Sequence, residues 1–205
     1  MLALSAAKGS DSKAEFKAGF KAYREGDFDI ALEKWTPLAD EGAAEAQVNL
    51  GIMYAKGEGV EKNPDTAFGW YSKAAESSHP KSTFNLGVMY ENGQSVEQSY
   101  DDAMTWYKRA ADLGYGPACH AIGILYQRGH GVEQSNIEAV QWYLSAAEKN
   151  NVGGQFALAA MLEAGEGVPV DPVHAGQLYS EAVRRGHLET HYRLGRFYEF
   201  GLGVD

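Results

Sequence analysis

The chain has 205 residues, with 18 Lys or Arg against 28 Asp or Glu, a formal net charge of −10. That balance argues against a basic nucleic-acid binder, while 44% hydrophobic and 12% aromatic content excludes an acidic disordered tail and suffices for one or two folded domains. The single cysteine, Cys119, excludes an internal disulfide and a zinc site of paired thiolates; no apolar run of 18 residues is present to span a membrane, and 24 glycines beside 6 prolines call for an explanation.

Residues 1–12, MLALSAAKGSDS, read as a flexible N-terminal segment. The remnant of a signal peptide is the other reading, although no basic residue precedes Leu2. Residues 13–42 form a first helix pair, with Gly19 in its first helix, the short turn Arg24-Glu25-Gly26-Asp27, and Ala31 and Trp35 in its second. From residue 43 the chain superimposes on itself at a shift of 36, giving units at about 43–78, 79–114, 115–150 and 151–186 and a partial unit at 187–205.

The columns of this repeat are specific. Gly57, Gly93, Gly129, Gly165 and Gly201 share one, a coincidence with a chance on the order of 10⁻⁵ for a random chain of this glycine content. Leu50, Leu86, Ile122, Leu158 and Leu194 share another; Tyr54, Tyr90, Tyr126, Leu162 and Tyr198 a third; Val60, Val96, Val132, Val168 and Val204 a fourth. Ala31, Ala67, Ala103, Ala139 and Ala175 align without exception, as do Trp35, Tyr71, Tyr107, Tyr143 and Tyr179.

Within each unit the apolar residues recur at three and four, the period of a helix, and two helices fit in 36 residues. Gly57 and Gly59 of KGEGVEKN end the first helix by admitting left-handed backbone, and Val60 plugs the loop. Asn63-Pro64 and Asp171-Pro172 read as an N-cap followed by proline in the first turn of the second helix. Gly51, Gly87, Gly123 and Gly195 lie inside the first helices, where each costs about 1 kcal/mol against alanine. A large side chain from the Trp and Tyr columns filling the notch offsets that cost, and Ala159 leaves similar room in the fourth copy. A helix pair cannot bury both its faces alone, so stacked pairs share a continuous core and the fold is an α-solenoid.

The pattern AxxLGxxYxxGxGV followed by AxxWYxKAA resembles Sel1-like repeats, the longer-looped relatives of tetratricopeptide repeats. Ala46–Val60, AQVNLGIMYAKGEGV, and Ala67–Ala75, AFGWYSKAA, carry the resemblance most fully, and it extends over residues 13–205. It implies an all-α, right-handed solenoid of antiparallel helix pairs. Ser95 stands for the second loop glycine in one copy, Leu162 for the tyrosine in another, and Lys34 and Leu178 for the tryptophan at 70, 106 and 142. The first unit, shorter in its loop by four residues, looks like an ordinary tetratricopeptide repeat serving as a cap. The chain stops at Asp205 after the first helix and loop of a sixth unit, which suggests a shortened chain or an end that packs on another molecule, with self-association as one outcome. Exported relatives in Gram-negative bacteria tilt the expected location toward the cell envelope.

Catalytic, cofactor and metal sites are not expected. The paired glycines follow helices rather than strands and lack the third glycine of a nucleotide loop. His187 and His191 are four apart, but Leu188 stands where a metalloprotease motif has glutamate. His79, His130 and His174 read as solvated, and Cys119 as a packed thiol without a basic neighbour. The disulfide-rich relatives linked to penicillin binding differ by their cysteine pairs, so that role does not carry over.

The resemblance places the first helices on a concave face, lined by Phe16, Phe20, Tyr23, Val48, Ile52, Ala55, Phe84, Val88, Glu91, His120, Ile124, Gln127, Phe156, Ala160, Glu163, Tyr192, Arg196 and Glu199. This face reads as an apolar groove with acidic edges that suit basic segments. The expected function is a non-enzymatic scaffold binding a protein or peptide, without nucleic acid or membrane insertion. The alternative is an accessory envelope protein that binds a glycan or peptidoglycan fragment. Two expectations follow: Phe84→Ala with Phe156→Ala weakens binding without loss of helix, and Trp106→Ala costs about 3 to 5 kcal/mol.

Overall fold

A computed structural model describes residues 2–201, with side chains from Asp11 onward except those of Glu189 and Phe200. Among the described residues there are eleven α-helices and no strand: α1 (Leu2–Glu25), α2 (Phe28–Asp40), α3 (Ala44–Lys56), α4 (Pro64–Glu76), α5 (Pro80–Asn92), α6 (Tyr100–Asp112), α7 (Gly116–Arg128), α8 (Asn136–Glu148), α9 (Val152–Ala164), α10 (Pro172–Arg184) and α11 (Leu188–Phe200). The fold is the all-α solenoid of helix pairs that the repeat implies. The chain forms two compact units, one through Gln98 with α1–α5 and one from Ser99 with α6–α11. The backbone is helical from Leu2, where the sequence suggests a flexible segment over 1–12. Leucine, alanine and lysine, all good helix formers, dominate its first eight residues. Val204, the last member of the valine column, lies outside the described residues with the rest of 202–205.

The helix boundaries follow from the cap chemistry. Gly57, Gly93, Gly129, Gly165 and Gly201 end α3, α5, α7, α9 and α11 with φ of 79°, 64°, 70°, 71° and 61°. A side chain there would be strained against its own backbone. The second helices begin on side-chain caps: Asn63 Oδ1 accepts from Thr66 N at 3.0 Å, Ser99 Oγ from Asp102 N at 3.1 Å, Ser135 Oγ from Glu138 N at 3.2 Å, and Asp171 Oδ1 from His174 N at 3.0 Å. The second loop glycine serves close approach: a Cβ on Gly131 would stand 2.6 Å from Tyr100 Cβ, and one on Gly59 would overlap Phe28 Cβ. Ser95 holds the same left-handed conformation, φ 66°, and its hydroxyl donates to Asp65 Oδ1.

The core of each unit is built from the alanine and aromatic columns. In the first unit Ala31, Trp35, Leu50 and Met53 are fully buried with Ala46, and Val60 packs beside them as the loop plug. In the second, Ala139, Tyr143, Leu158, Ala159, Ala175, Tyr179 and Phe197 form one cluster, with Val168 against it. The notches are filled as the column pattern implies. A Cβ on Gly19 would stand 2.6 Å from Trp35 Nε1; one on Gly51 would collide with the ring of Tyr71, and one on Gly123 with that of Tyr143. A Cβ on Gly195 meets nothing within 4 Å.

The tryptophans take a lesser place than the sequence suggests. Tyr71, Tyr107, Tyr143 and Tyr179 are buried, whereas Trp70, Trp106 and Trp142 are only half-buried. The Lys73 ammonium lies 4.2 Å from the Trp70 ring centroid, and the Arg109 guanidinium 5.5 Å from that of Trp106. Adjacent residues on a helix point about 100° apart, so only one of the two rings can face the glycine.

Two pairs of substitutions separate these roles. Gly123→Ala is expected to destabilise the fold by about 1 to 2 kcal/mol, overpacking against Tyr143 exceeding the helix-propensity gain. Gly195→Ala is expected to stabilise by up to about 1 kcal/mol. Tyr143→Ala should cost about 3 to 5 kcal/mol and Trp106→Ala distinctly less, all read from chemical-denaturation midpoints.

Candidate functional site

The residues expected to line one face fall into three groups: exposed, half-buried over the aromatic columns, and engaged as hydrogen-bond partners. In the first unit Phe20 is 48% exposed, and Val48, only 2% exposed, is a floor rather than a contact. Phe16 is half-buried, its ring centroid 6.0 Å from that of Trp35, whose Nε1 donates to Phe16 O at 3.2 Å. Phe16, Phe20 and Val48 come together with Glu45, Asn49, His79 and Lys81 around a shallow cleft formed by α1, α3 and the start of α5. Ile52, Phe84, Val88 and Glu91 are half-buried, and Val88 opens onto a second cleft with Ala55, Tyr71, Asn85 and Met89. Tyr23 acts as a tether: its hydroxyl donates to Glu58 Oε2 at 2.5 Å, with Lys56 Nζ 3.4 Å from the hydroxyl. That bond fixes α1 to the loop after α3, and burial raises the Tyr23 pKa.

In the second unit His120, Ile124 and Phe156 are likewise half-buried. His120 lies against Tyr143 at a centroid separation of 5.7 Å, and Phe156 is held between Tyr179 at 5.8 Å and His187 at 5.0 Å. Ile124 packs half-buried on the core. Gln127 and Glu163, expected on the rim, are acceptors for buried phenols sixteen residues later in the chain. Tyr143 Oη donates to Gln127 Oε1 at 2.7 Å and Tyr179 Oη to Glu163 Oε2 at 2.8 Å. Arg193 Nη1 donates to the same Glu163 oxygen at 3.0 Å, so this carboxylate already has a phenol and a guanidinium as partners. Burial pushes the Tyr143 phenol up to about 12. Tyr192 is 74% exposed and Arg196 is exposed beside it on α11.

The histidine pair at the start of α11 has local partners. His187 Nδ1 is 2.6 Å from Thr190 Oγ1, and no cluster of three or more metal-binding side chains occurs among the described residues. Cys119 is buried and desolvation raises its pKa, opposite to what a reactive thiol needs. The sequence reading passed over Lys17, Lys21 and Arg24, which surround Phe20 on the solvent side of α1, and Lys81 across the cleft. Their signal is present as basic residues at 13, 17, 21 and 24, one stripe of a helix.

These elements define a helical-repeat protein built from 36-residue pairs of helices. The Sel1 repeat model matches residues 44–79, 80–115, 116–151, 152–187 and 188–205, and the chain belongs to the Sel1 repeat family. The family consists generally of protein-interaction scaffolds and is typically non-catalytic. Among solved structures the chain is similar to a Sel1 repeat protein from Oxalobacter formigenes, at 31% identity and TM-score 0.83, over 92% of this chain and 77% of that one. It is also similar to c5321, a protective antigen present in uropathogenic Escherichia coli strains, at 32% identity and TM-score 0.79, over 96% of this chain and 43% of that one. A curated relative, an exopolysaccharide production negative regulator of Rhizobium meliloti (strain 1021), is 41% identical over 69 residues, 34% of this chain. The chain spans about a quarter, 26%, of that relative's length. No helix among the described residues is long and apolar enough to cross a membrane.

His120 yields a pH dependence. Burial lowers its pKa from 6.5, and the nearby His187 acts in the same direction. The folded state therefore binds fewer protons at this site than the unfolded chain, so stability is complete above about pH 6.5 and falls as pH drops from there toward the lowered value. Denaturation midpoints at pH 7.5 and 5.5 should differ less in His120→Phe than in the parent protein.

Proposed function

We propose that this Sel1 repeat protein is a non-enzymatic scaffold that binds a peptide or protein segment on the face of its first helices. The observation that carries this reading is the cleft of Phe16, Phe20 and Val48, with an aromatic ring 48% exposed at its mouth. An exposed aromatic beside apolar floor residues is a costly surface for water and a ready anchor for a side chain. Tyr192 and Arg196 are the corresponding contact residues of α11. Phe156 contributes as a wall packed between two rings, and for that reason the paired change of Phe84 and Phe156 no longer separates binding from folding. The curated relative's role in restraining exopolysaccharide production fits a protein that works by holding others. Glycan binding is the competing class.

Phe20→Ala separates them. Phe20 is exposed, so its loss should change stability by less than about 0.5 kcal/mol. Selection from a displayed library of random 12-residue peptides should enrich a family of sequences on the parent protein and not on Phe20→Ala. Enrichment indifferent to Phe20, or none while soluble peptidoglycan fragments bind, would contradict the reading.

A further inference from the structure

The charge around the Phe20 cleft runs opposite to that of the whole chain. The net charge is −10, yet α1 presents exposed Lys13, Lys17, Lys21 and Arg24 at successive turns of one stripe. Phe20 lies among Lys17, Lys21 and Arg24, and the same ring forms part of the cleft that Lys81 borders on α5. Among the described residues lining the two hollows, two carboxylates accompany the cations Lys17, Lys21, Arg24 and Lys81. Glu25 is 3.9 Å from Lys21 in a pair exposed on both sides, and Glu45 borders the cleft on α3. Exposed pairs at that separation contribute little and leave both groups to solvent. His79, the remaining titratable group at the cleft, is held toward its neutral form by burial. Phe20 thus joins two adjacent hollows, an apolar cleft bordered by Glu45 and Lys81 and a net cationic one bordered by Lys17, Lys21, Arg24 and Glu25.

We infer that the cleft of Phe16, Phe20 and Val48 takes an acidic amphipathic peptide segment. Its apolar side chain seats on the Phe20 ring and the Val48 floor, and its carboxylates lie against Lys17, Lys21, Arg24 and Lys81. This rests on the scaffold reading and reverses the polarity that the sequence suggests, since the acidic edge expected at Glu163 is consumed by Tyr179 and Arg193 in the other unit. Electrostatic complementarity of this kind sets which partner is accepted and how fast it arrives, while the apolar contact holds it. A basic segment would meet like charge along the stripe of Lys17, Lys21 and Arg24 beside Phe20.

The test uses two fluorescein-labelled helix-forming peptides of 14 residues, one with leucines on one face and glutamates on the other, and a twin with every glutamate replaced by lysine. Anisotropy titrations at low salt should show the glutamate peptide binding at least about tenfold more tightly, with the gap closing as salt rises. Lys17→Glu with Lys21→Glu should abolish or invert the preference, and Lys17→Gln with Lys21→Gln should reduce it, both with circular dichroism unchanged. Phe20→Ala should weaken binding. Equal binding of the twins, still dependent on Phe20, would overturn the charge assignment and leave the scaffold reading standing. Failure of both peptides would overturn the inference too, the scaffold reading then being decided by the library selection. Binding to vesicles one-third phosphatidylglycerol that is lost on charge reversal, without discrimination between the peptides, would assign the stripe to a lipid surface and equally overturn it.

Discussion

Close contact between an aromatic ring and a glycine backbone is the constraint on which the rest of this structure depends. A ring approaches the axis of a neighbouring helix most closely where that helix lacks a Cβ, and Gly19, Gly51 and Gly123 supply that gap for Trp35, Tyr71 and Tyr143. One turn before each ring, Ala31, Ala67 and Ala139 are fully buried, so the second helix comes close along its own length as well. The loss of about 1 kcal/mol of helix propensity at each glycine is smaller than the gain from burying a ring of about 150 to 250 Å². The repeat length follows from this contact. The loop must end one helix at a left-handed glycine, cross over, and start the next on a side-chain cap in the register that returns the ring to the gap.

Such a fold is legible from sequence because each of its requirements falls on a residue type with few substitutes. Glycine at the left-handed ends, alanine where helices touch and Asn, Ser or Asp at the caps are each dictated by local chemistry, and a period of 36 makes them visible together. The exchange of roles between tyrosine and tryptophan was not legible. Both stand side by side in every middle unit, and only the rotation of the helix about its axis decides which faces inward; Ala67, four residues before Tyr71, is the clue in retrospect. The roles of Gln127 and Glu163 were hidden for a related reason. A carboxylate that accepts from a phenol sixteen residues away looks, in the sequence, like any polar residue on an exposed face.

The candidate site was half legible. The family resemblance suggested the positions, and burial sorts them: Val48 is a floor, Phe156 packs between two rings, Tyr23 is a tether and Phe20 is exposed. The first helix differs from the others in chemistry as well as in loop length. Lys17, Lys21 and Arg24 on α1 occupy the solvent side of a helix whose other side packs on Trp35. Lys17, Lys21 and Arg24 are exposed, so packing within the described residues does not dictate their chemistry.

The most direct test of the ring-over-glycine claim is a double-mutant cycle in the second unit, with Gly123→Ala, Tyr143→Leu and the pair compared by denaturant unfolding. The account predicts non-additivity of at least about 1 kcal/mol, the alanine being harmful opposite tyrosine and neutral or favourable once the ring is gone. Additive effects, with the alanine equally harmful in both backgrounds, would show that the glycine is not there to receive the ring.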